Sequence, residues 1–386
     1  MTPTAPAAVD HDDVIHPKPI PFLLAHLACL GAIWTGVSWP MVALAFALYV
    51  ARMFGVTAGY HRYFSHRTFK MGRVAQFLLA FLAQSSAQRG ILWWAAKHRH
   101  HHRHSDTPQD VHSPRHKGFW YAHVGWVFTA EHEGTDFDAV PDLTKYPELL
   151  WLERYEYVPA ILLGVGCWLV AGWQGLVVGF FWSTVVLYHC TFFINSLAHV
   201  HGNVRYVTGD DSRNNWWLAV LTLGEGWHNN HHAYQRSTRQ GFRWYEFDPT
   251  FYALKFLSWL GVTSDLGVPP REVVRNERPL GRAMVEKVAR QLAASAVSLD
   301  ELSAQAQAMW AHNPRLEELR AAVADGRRRA EEAIAELHLP QLPTAAELRA
   351  RAKQMYADTP SMDEIAARAR EIIVQHLTVE LLLVRT

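Results

Sequence analysis

Nine histidines with regular spacing are the residues of this sequence most suited to chemistry. They lie in three short motifs, with one further histidine between the second motif and the third. The nine are His61, His66, His98, His101, His102, His199, His228, His231 and His232. Imidazole is a common ligand of transition metals. The sequence therefore predicts a site for two metal ions.

The second and third motifs share one spacing. His98, His101 and His102 are related as i, i+3 and i+4, and His228, His231 and His232 repeat that pattern. On a helix such residues are neighbours on one face, about 5–6 Å apart at Cβ. One helix can therefore offer ligands to two ions. Imidazole suits iron, zinc, copper and nickel alike, so the histidines alone do not choose the metal.

Composition excludes several classes of protein and favours a membrane protein. Hydrophobic residues make up 49% of the chain, which has 16 Trp and 18 Phe. Cys29, Cys167 and Cys190 form no C-x-x-C pair, so neither a disulfide framework nor a thiolate cluster is predicted. The net charge is +1, without a basic run interleaved with aromatics, so no nucleic-acid partner is expected.

Four apolar stretches are candidates for membrane spans, since a helix needs about 20 apolar residues to cross a bilayer. They cover about 21–39, 41–60, 157–173 and 175–197. Short turns at Pro40 and at Gly172-Trp173-Gln174 join them into two hairpins. Arg52 interrupts the second stretch, so it either snorkels to the interface or lines an interior polar pocket.

Basic residues predict the orientation. Neither hairpin tip carries Lys or Arg, whereas the flanking segments carry Lys18, Arg62, Arg154 and Arg205. By the positive-inside rule, the histidine motifs and both termini are expected in the cytosol. The first twenty residues lack a basic region and a small-residue cleavage site, so they are not interpreted as a signal peptide.

The predicted domain organisation has three parts. Residues 1–19 form a cytosolic tail, 20–270 the membrane domain, and 285–386 a soluble helical extension rich in Ala, Glu and Arg, as in Leu316–Leu337. The extension is expected to be an appendage, with docking of an electron donor, packing on the membrane domain or oligomer contacts as alternatives. Within the membrane domain, Met71–Ala96 is predicted as one helix that lies at the membrane surface or against the helix bundle.

Three runs carry a resemblance to a known family. Gly59-Tyr-His-Arg-Tyr-Phe-Ser-His-Arg67, His98-Arg-His-His-His102 and Gly224-Glu-Gly-Trp-His-Asn-Asn-His-His232 resemble the histidine boxes of the membrane fatty-acyl desaturases, in particular the stearoyl-CoA (delta-9) type. The resemblance covers residues 20–265, and Phe119–Trp126 adds to it. It implies an all-α membrane fold with four spans and a cytosolic, histidine-rich helical cap.

The resemblance also implies a chemistry. The nine histidines match the family's ligands of two iron ions, and Asn195 matches an asparagine that reaches one iron through a water. With dioxygen, such enzymes remove hydrogen from carbons 9 and 10 and leave a cis double bond. This chain has no haem motif, cysteine cluster or G-x-G-x-x-G fingerprint. A separate electron donor is therefore implied, ferredoxin or cytochrome b5 with its reductase.

Other polar residues near the motifs have two readings each. His100 and His104 are expected to face solvent or to support ligands, and His123, His189 and His201 to be hydrogen-bonded structural residues. Scattered His312, His338 and His376 form no ligand set in the extension. Acceptors for ligand N–H groups, or else solvated carboxylates, are Glu225, Asp106 and Asp110.

Substrate contacts are less specific. In the family, the second span limits chain length, and Ala45 and Tyr49 are the candidates here; Tyr49 either shortens the tunnel or packs elsewhere. Gly90–Lys97 replaces the polar stretch that animal acyl-CoA enzymes use for coenzyme A, although Arg89 and Lys97 can still meet phosphates. Fatty acyl-CoA is the first expectation, and chains on a lipid or carrier protein remain open.

Two other functions are kept beside this one. A membrane di-iron hydroxylase of alkanes, sterols, carotenoids or lipids has similar motifs, but the His-Arg-x-x-Ser-His form and the Asn195/His199 pair favour a desaturase. A metal transporter or sensor needs ionisable groups along a path through the spans. Here the ligands gather at one membrane face, which disfavours transport.

Overall fold

The computed structural model describes residues 19–296 and 342–383, the last seven by their backbone only. The chain divides into two compact units. One holds Asp210–Pro270 and the chain before Val204, and the other holds Val204–Gly209 and the chain from Arg271. Leu316–Leu337, His312, His338 and the predicted tail 1–18 lie outside the described residues.

Two helical stretches among the described residues are long and apolar enough to cross a membrane. They are Trp39–Ser65 and Val158–His199. The second is broken at Ala171 and Gly172, where Gly172 has a φ of +59°. A Cβ at Gly175 would overlap the carbonyl oxygen of Cys167, so the two arms pack closely just beyond the break. The first predicted span corresponds to Ile20–Thr35, which is only 16 residues long as an apolar stretch.

The first unit is helical apart from one small sheet. Its longer helices are Ile20–Cys29, Trp39–Phe54, Gly55–Ser65, Arg73–Gln84, Ile91–His104, Pro147–Arg154, Val158–Gln174, Gly175–Trp182, Ser183–Asn195 and Pro249–Trp259. Short turns of helix are Ala32–Thr35, Pro114–Lys117, Phe119–His123, Gly125–Phe128, Ala130–His132, Phe137–Ala139, Pro141–Thr144, Leu197–His199, Trp216–Leu221 and His228–Ala233. Strands Lys70–Met71 and Thr263–Ser264 pair antiparallel. This sheet ties the chain after the first histidine motif to the chain after the third.

The prediction of one helix over Met71–Ala96 is wrong. The structure has Arg73–Gln84 and Ile91–His104, with a non-helical segment between them. Ala87 and Arg89 have φ of +58° and +74°, a left-handed conformation that no α-helix continues through. The break lets the histidine-bearing helix begin afresh, and the Glu153 carboxylate accepts from the backbone N–H of Leu92 and Trp93 in its first turn.

Arg52 is buried, and of its two predicted positions the interior one is correct. Its guanidinium donates to the hydroxyls of Thr184 (2.7 Å) and Ser183 (2.5 Å) and to the carbonyl oxygen of Ser85. These acceptors satisfy a cation that would otherwise be costly to bury. Arg52 thereby joins the helix Trp39–Phe54 to the helix that begins at Ser183.

The core of the first unit packs around the first two motifs. Tyr60 and Phe64, within the first motif, are fully buried beside Leu92 and Ala95 of the helix Ile91–His104. Burying these side chains favours folding by roughly 1.5–3 kcal/mol for each large one. Hydrophobic packing therefore fixes the helices whose polar faces carry the histidines.

The second unit has its own apolar core. Its helices among the described residues are Arg271–Val274, Arg282–Ala296, Ala345–Met355 and Met362–Leu383. Val288, Leu292, Leu348 and Ile365 are buried together, and Val207 joins them. Thr344 and Glu347 form a capping box at the start of Ala345–Met355. Val204–Gly209, predicted within the membrane domain, thus belongs to this core.

Candidate metal centre

The structure brings all nine histidines into two adjacent groups. In each group the candidate ligand atoms lie within 4.8 Å of one another. The five-histidine group is His61, His66, His98, His102 and His231. The four-histidine group is His101, His199, His228 and His232. Each group is a potential site for one metal ion.

Two helices serve both groups. Ile91–His104 places His98 and His102 in the five-histidine group and His101 in the other. The helix His228–Ala233 repeats this arrangement, with His231 in the first group and both of its other histidines in the second. Residues i and i+4 share a face of the helix, whereas residue i+3 points about 100° away from residue i+4. The predicted sharing of one helix between two ions agrees with this geometry.

An unusual helix explains why His61 and His66 meet. Residues five apart on an α-helix point about 140° away from each other. Gly55–Ser65 is instead a π-helix, in which the backbone bonds run from i to i+5, and the N–H of His66 donates to the carbonyl of His61. The two ring centres are consequently 4.9 Å apart. The π-helix turns an i, i+5 pair into neighbours.

Four carboxylates hold four of the rings by their Nδ1–H groups. His61 donates to Glu225 (2.5 Å) and His101 donates to Asp110 (2.9 Å). The other two pairs are His199 with Asp106 and His232 with Asp210, both at 2.8 Å. An imidazole that donates from Nδ1 has its Nε2 lone pair free for a metal.

Ionised carboxylates strengthen this arrangement. Burial acts to raise the pKa of Asp210, but the imidazole of His232 outweighs it and the pKa falls below the usual range. The pKa of Asp106 is lowered in the same way by His199, and that of Asp110 by His101. Glu225 has a lowered pKa because of His61 and Arg62, again against the effect of burial. All four are therefore acceptors at neutral pH.

The spacing of the Nε2 atoms fits metal ions. His66 and His98 are 2.8 Å apart at Nε2, and His61 and His231 are 3.0 Å apart. In the other group, His199 and His228 are also 3.0 Å apart. Two nitrogens at right angles around an ion, each about 2.1 Å from it, would be about 3.0 Å apart.

An orphaned nitrogen supports the same conclusion. His232 donates from Nδ1 to Asp210, and its buried Nε2 has no hydrogen-bond partner among the described residues. Leaving a buried polar atom unsatisfied costs roughly 1–3 kcal/mol. A metal ion bound at Nε2 would remove this cost. The donor set of nine imidazoles with carboxylate support therefore fits two transition-metal ions such as iron.

A cavity, here called the histidine-side cavity, reaches the five-histidine group. His98 and Asn195 line it, together with Arg89 and Lys97. Arg89 is already engaged, because it donates to the Glu156 carboxylate and to the carbonyl oxygen of Glu133. Lys97 is half-buried, and burial lowers the pKa of its ammonium.

Ala45 and Tyr49 line neither of the two cavities found in the described chain. The Tyr49 hydroxyl instead donates to the carbonyl oxygen of Leu221 at 2.6 Å, and its ring packs against the core. The role of Tyr49 in limiting chain length stays a prediction.

The remaining predicted polar residues lie outside the two groups. His100 contacts the carbonyl oxygen of Gln109, and His123 lies between Ser196 and His189. His104, His201 and His376 likewise belong to neither group. Sequence reasoning missed Asp210 and also His112, which is buried beside Asp110 and His101. Asp210 had a signal, since it is acidic and lies close in sequence to His199.

Replacing Asp210 by Asn should weaken metal binding without unfolding the protein. The amide carries no charge and holds the His232 ring less firmly, and losing such a partner typically costs about 10–100-fold in metal affinity. We expect Asp210→Asn to release iron to a chelator at about 10-fold lower chelator concentration. Asp211→Asn is the matched control, because Asp211 pairs with partly exposed Arg115. Equal iron retention in both variants would contradict the role of Asp210.

Comparison with known proteins gives concordant similarities. The family model described as fatty acid desaturase matches residues 37–256. The sn-1 stearoyl-lipid 9-desaturase of Synechocystis sp. is 38% identical over 248 residues, which are 62% of this chain and 76% of that protein.

Further relatives act on different carriers by name. The acyl-CoA 5-desaturase AL21 of Anemone leveillei is 38% identical over 252 residues, 63% of this chain and 77% of the relative. The delta-9 acyl-lipid desaturase 1 of Arabidopsis thaliana is 34% identical over 251 residues, 64% of this chain and 81% of the relative. The family match over residues 37–256 includes all nine histidines, and all nine lie in the first unit of the fold.

Proposed function

Because the chain belongs to the fatty acid desaturase family, we propose that it forms a cis double bond at carbon 9 of a saturated long-chain acyl substrate. The nine histidines would hold two iron ions. The observation that carries the proposal is that two convergent histidine groups lie together and that one of them borders a cavity. A hydroxylase would share the histidines, and the relatives, all named as desaturases, favour desaturation.

The residues prepare the site in two ways. Glu225, Asp106, Asp110 and Asp210 orient imidazoles so that their Nε2 lone pairs converge. Trp93, Trp126 and Phe192 line the histidine-side cavity with apolar surface, which limits water near the reacting methylene. When bound, iron would supply the activation of dioxygen that side chains do not provide.

The overall reaction needs electrons from elsewhere. One –CH2–CH2– unit, one O2, two electrons and two protons give one –CH=CH– unit and two waters. Since the sequence has no haem motif, cysteine cluster or dinucleotide fingerprint, we propose a separate donor, ferredoxin or cytochrome b5 with its reductase.

The carrier of the acyl chain follows from the charges at the cavity. Acyl-CoA was the first expectation, but Arg89 is paired with Glu156, and Lys97 lies near Glu131 and Asp136. Carboxylates disfavour the phosphates of coenzyme A. We therefore propose a chain attached to a membrane lipid, with acyl-CoA as the second candidate. The named relatives include both kinds.

The membrane arrangement is proposed on the same footing. Two membrane-length stretches, of which the second is broken at Gly172, support the two-hairpin topology. With the positive-inside rule, we propose that the metal centre and both termini lie in the cytosol. The catalytic domain would be residues 20–270 and the extension 285–386 an appendage.

Expression in a desaturase-deficient host tests the proposal. Gas chromatography of the host's fatty acids, with mass spectrometry of a derivative that marks the double bond, should show a new cis-9 monoene. A hydroxylated lipid would replace the proposal by the hydroxylase reading. If no product forms although iron is bound and a donor is supplied, the proposed reaction is wrong.

A further inference from the structure

A second cavity, here called the outer groove, runs along the helix that begins at Val158. Tyr157, Ala160, Gly164 and Trp168 line it at intervals of three, four and four residues, which is one face of that helix. Its opposite walls come from Ile20–Cys29 and from the arm that follows Gly175.

The outer groove adjoins the histidine-side cavity. Pro21, Ala87, Tyr157 and Tyr188 line both spaces. At this boundary the Tyr188 hydroxyl donates to the carbonyl oxygen of Ala87 at 3.0 Å. The two spaces therefore share a wall at Tyr188, and a chain that passes the five-histidine group would enter the outer groove by crossing this wall.

The chemistry of the outer groove fits hydrocarbon. None of its lining residues is charged. Thr184, a polar member, already donates its hydroxyl to the carbonyl oxygen of Phe180 and accepts from Arg52. The open side of the outer groove exposes apolar Ile161 (59%) and Val165 (46%). A polar ligand would lose its hydrogen bonds to water here without replacement.

The length of the outer groove matches part of an acyl chain. From Tyr157 to Trp168 the helix rises about 17 Å. An extended chain advances about 1.2 Å per bond, as the extended peptide does. The outer groove therefore holds about 13 carbons, more than the eight that follow a double bond between carbons 9 and 10 in an eighteen-carbon chain.

From this we infer that the outer groove binds the methyl-terminal part of the acyl substrate and that Gly164 sets the chain length. The inference rests on the proposed function. It assigns the length limit to the helix that begins at Val158, and not to Ala45 and Tyr49 on the second predicted span.

The decisive variant is Gly164→Leu. A Cβ at Gly164 would meet Leu176 and Phe180 at an ordinary 3.5 Å, so the backbone need not move. The rest of the leucine would fill the outer groove about 10 Å from Tyr157 and close off its last 6 Å or so. We expect the longest chain that is desaturated to shorten by about five carbons.

The control is Gly166→Leu on the same helix. Nothing lies within 4 Å of a Cβ at Gly166, and this residue does not line the outer groove. Each variant would be expressed in the desaturase-deficient host, fed saturated acids from dodecanoic to icosanoic acid, and analysed for monoenes and bound iron. In Gly164→Leu, monoene formation from the longest chains should fall at least about 10-fold, whereas monoene formation from the shorter chains should be kept. Gly166→Leu should match the wild type.

Trp168→Ala tests the same idea in the opposite direction. Removing the indole opens the far end of the outer groove, so monoene formation from longer chains should rise relative to that from shorter chains. A folding defect would not produce this change. If the distribution of monoene chain lengths is unchanged in both Gly164→Leu and Trp168→Ala, the inference is overturned. Equal loss at every length in Gly164→Leu, with iron retained, also overturns it and indicates an entry passage. If the wild type makes no monoene, the proposed function fails instead.

Discussion

Replacing His231 or His101 by alanine is expected to eliminate desaturation and lower the bound iron. His231 belongs to the five-histidine group and His101 to the four-histidine group, so each variant removes one imidazole from a different site. Loss of a residue that merely supports a ligand costs about 10–100-fold, and loss of the ligand should cost more than that. The measurements are monoene formation in the desaturase-deficient host and iron per purified protein.

His100→Ala is the matched control for His101→Ala. It removes an imidazole from the same helix, but His100 contacts the carbonyl oxygen of Gln109 and belongs to neither group. It should keep its iron and most of its activity. Full activity in either ligand variant would refute the assignment of that group as a metal site.

The convergence of the ligands was largely predictable from spacing. The i, i+3, i+4 pattern in Ile91–His104 and His228–Ala233 needs only the geometry of a regular helix. Polarity near the motifs also pointed to Glu225, Asp106 and Asp110, which do accept from ring nitrogens. Local periodicity is sufficient to predict the ligands where a helix is regular and its polar face carries only ligands.

Irregular backbone was not predictable in the same way. The π-helix Gly55–Ser65 depends on long-range packing, for example of Gly55 and Gly59 against Ala83, where a side chain would crowd the neighbouring helix. The break before Ile91 depends on left-handed residues at Ala87 and Arg89, whose types carry no turn signal. Tertiary contacts determine both features, and hydrophobic periodicity does not reveal these contacts.

Contacts between distant segments were missed for a related reason. Asp210 reaches His232 through a loop, and loop geometry has no periodic signature. The outer groove forms where three helices meet, so no single stretch of sequence contains it. The substrate residues inferred from the second span, Ala45 and Tyr49, stay a prediction.

Arg62 links the first motif to the third through buried charge. Its guanidinium lies 3.0 Å from Glu225 and 2.9 Å from Asp248, and it also donates to the carbonyl oxygen of Thr238. Glu225 in turn accepts from His61. The same carboxylate, Glu225, thus pairs with the buried arginine and holds one metal ligand. This shared contact couples folding to metal binding.

Arg62→Leu is accordingly expected to lower both stability and iron content. It leaves Glu225 and Asp248 buried without their cation, a change that typically costs about 3–5 kcal/mol. For a protein of this size that corresponds to a fall of about 5 °C in Tm. The freed Glu225 should also hold His61 less firmly. Thermal unfolding in detergent and iron per protein are the measurements.

Arg73→Leu provides the comparison, since it removes an arginine that forms an equally short pair, 2.7 Å from Glu148, but at the surface. Solvent screening limits exposed pairs to about 0–1 kcal/mol, so its Tm should change by no more than about 3 °C. Equal Tm in the two variants would show that the charges around Arg62 are relieved by water. A large fall in Tm with iron retained would separate folding from the support of His61. The coupling between them requires Tm and iron content to fall together in Arg62→Leu alone.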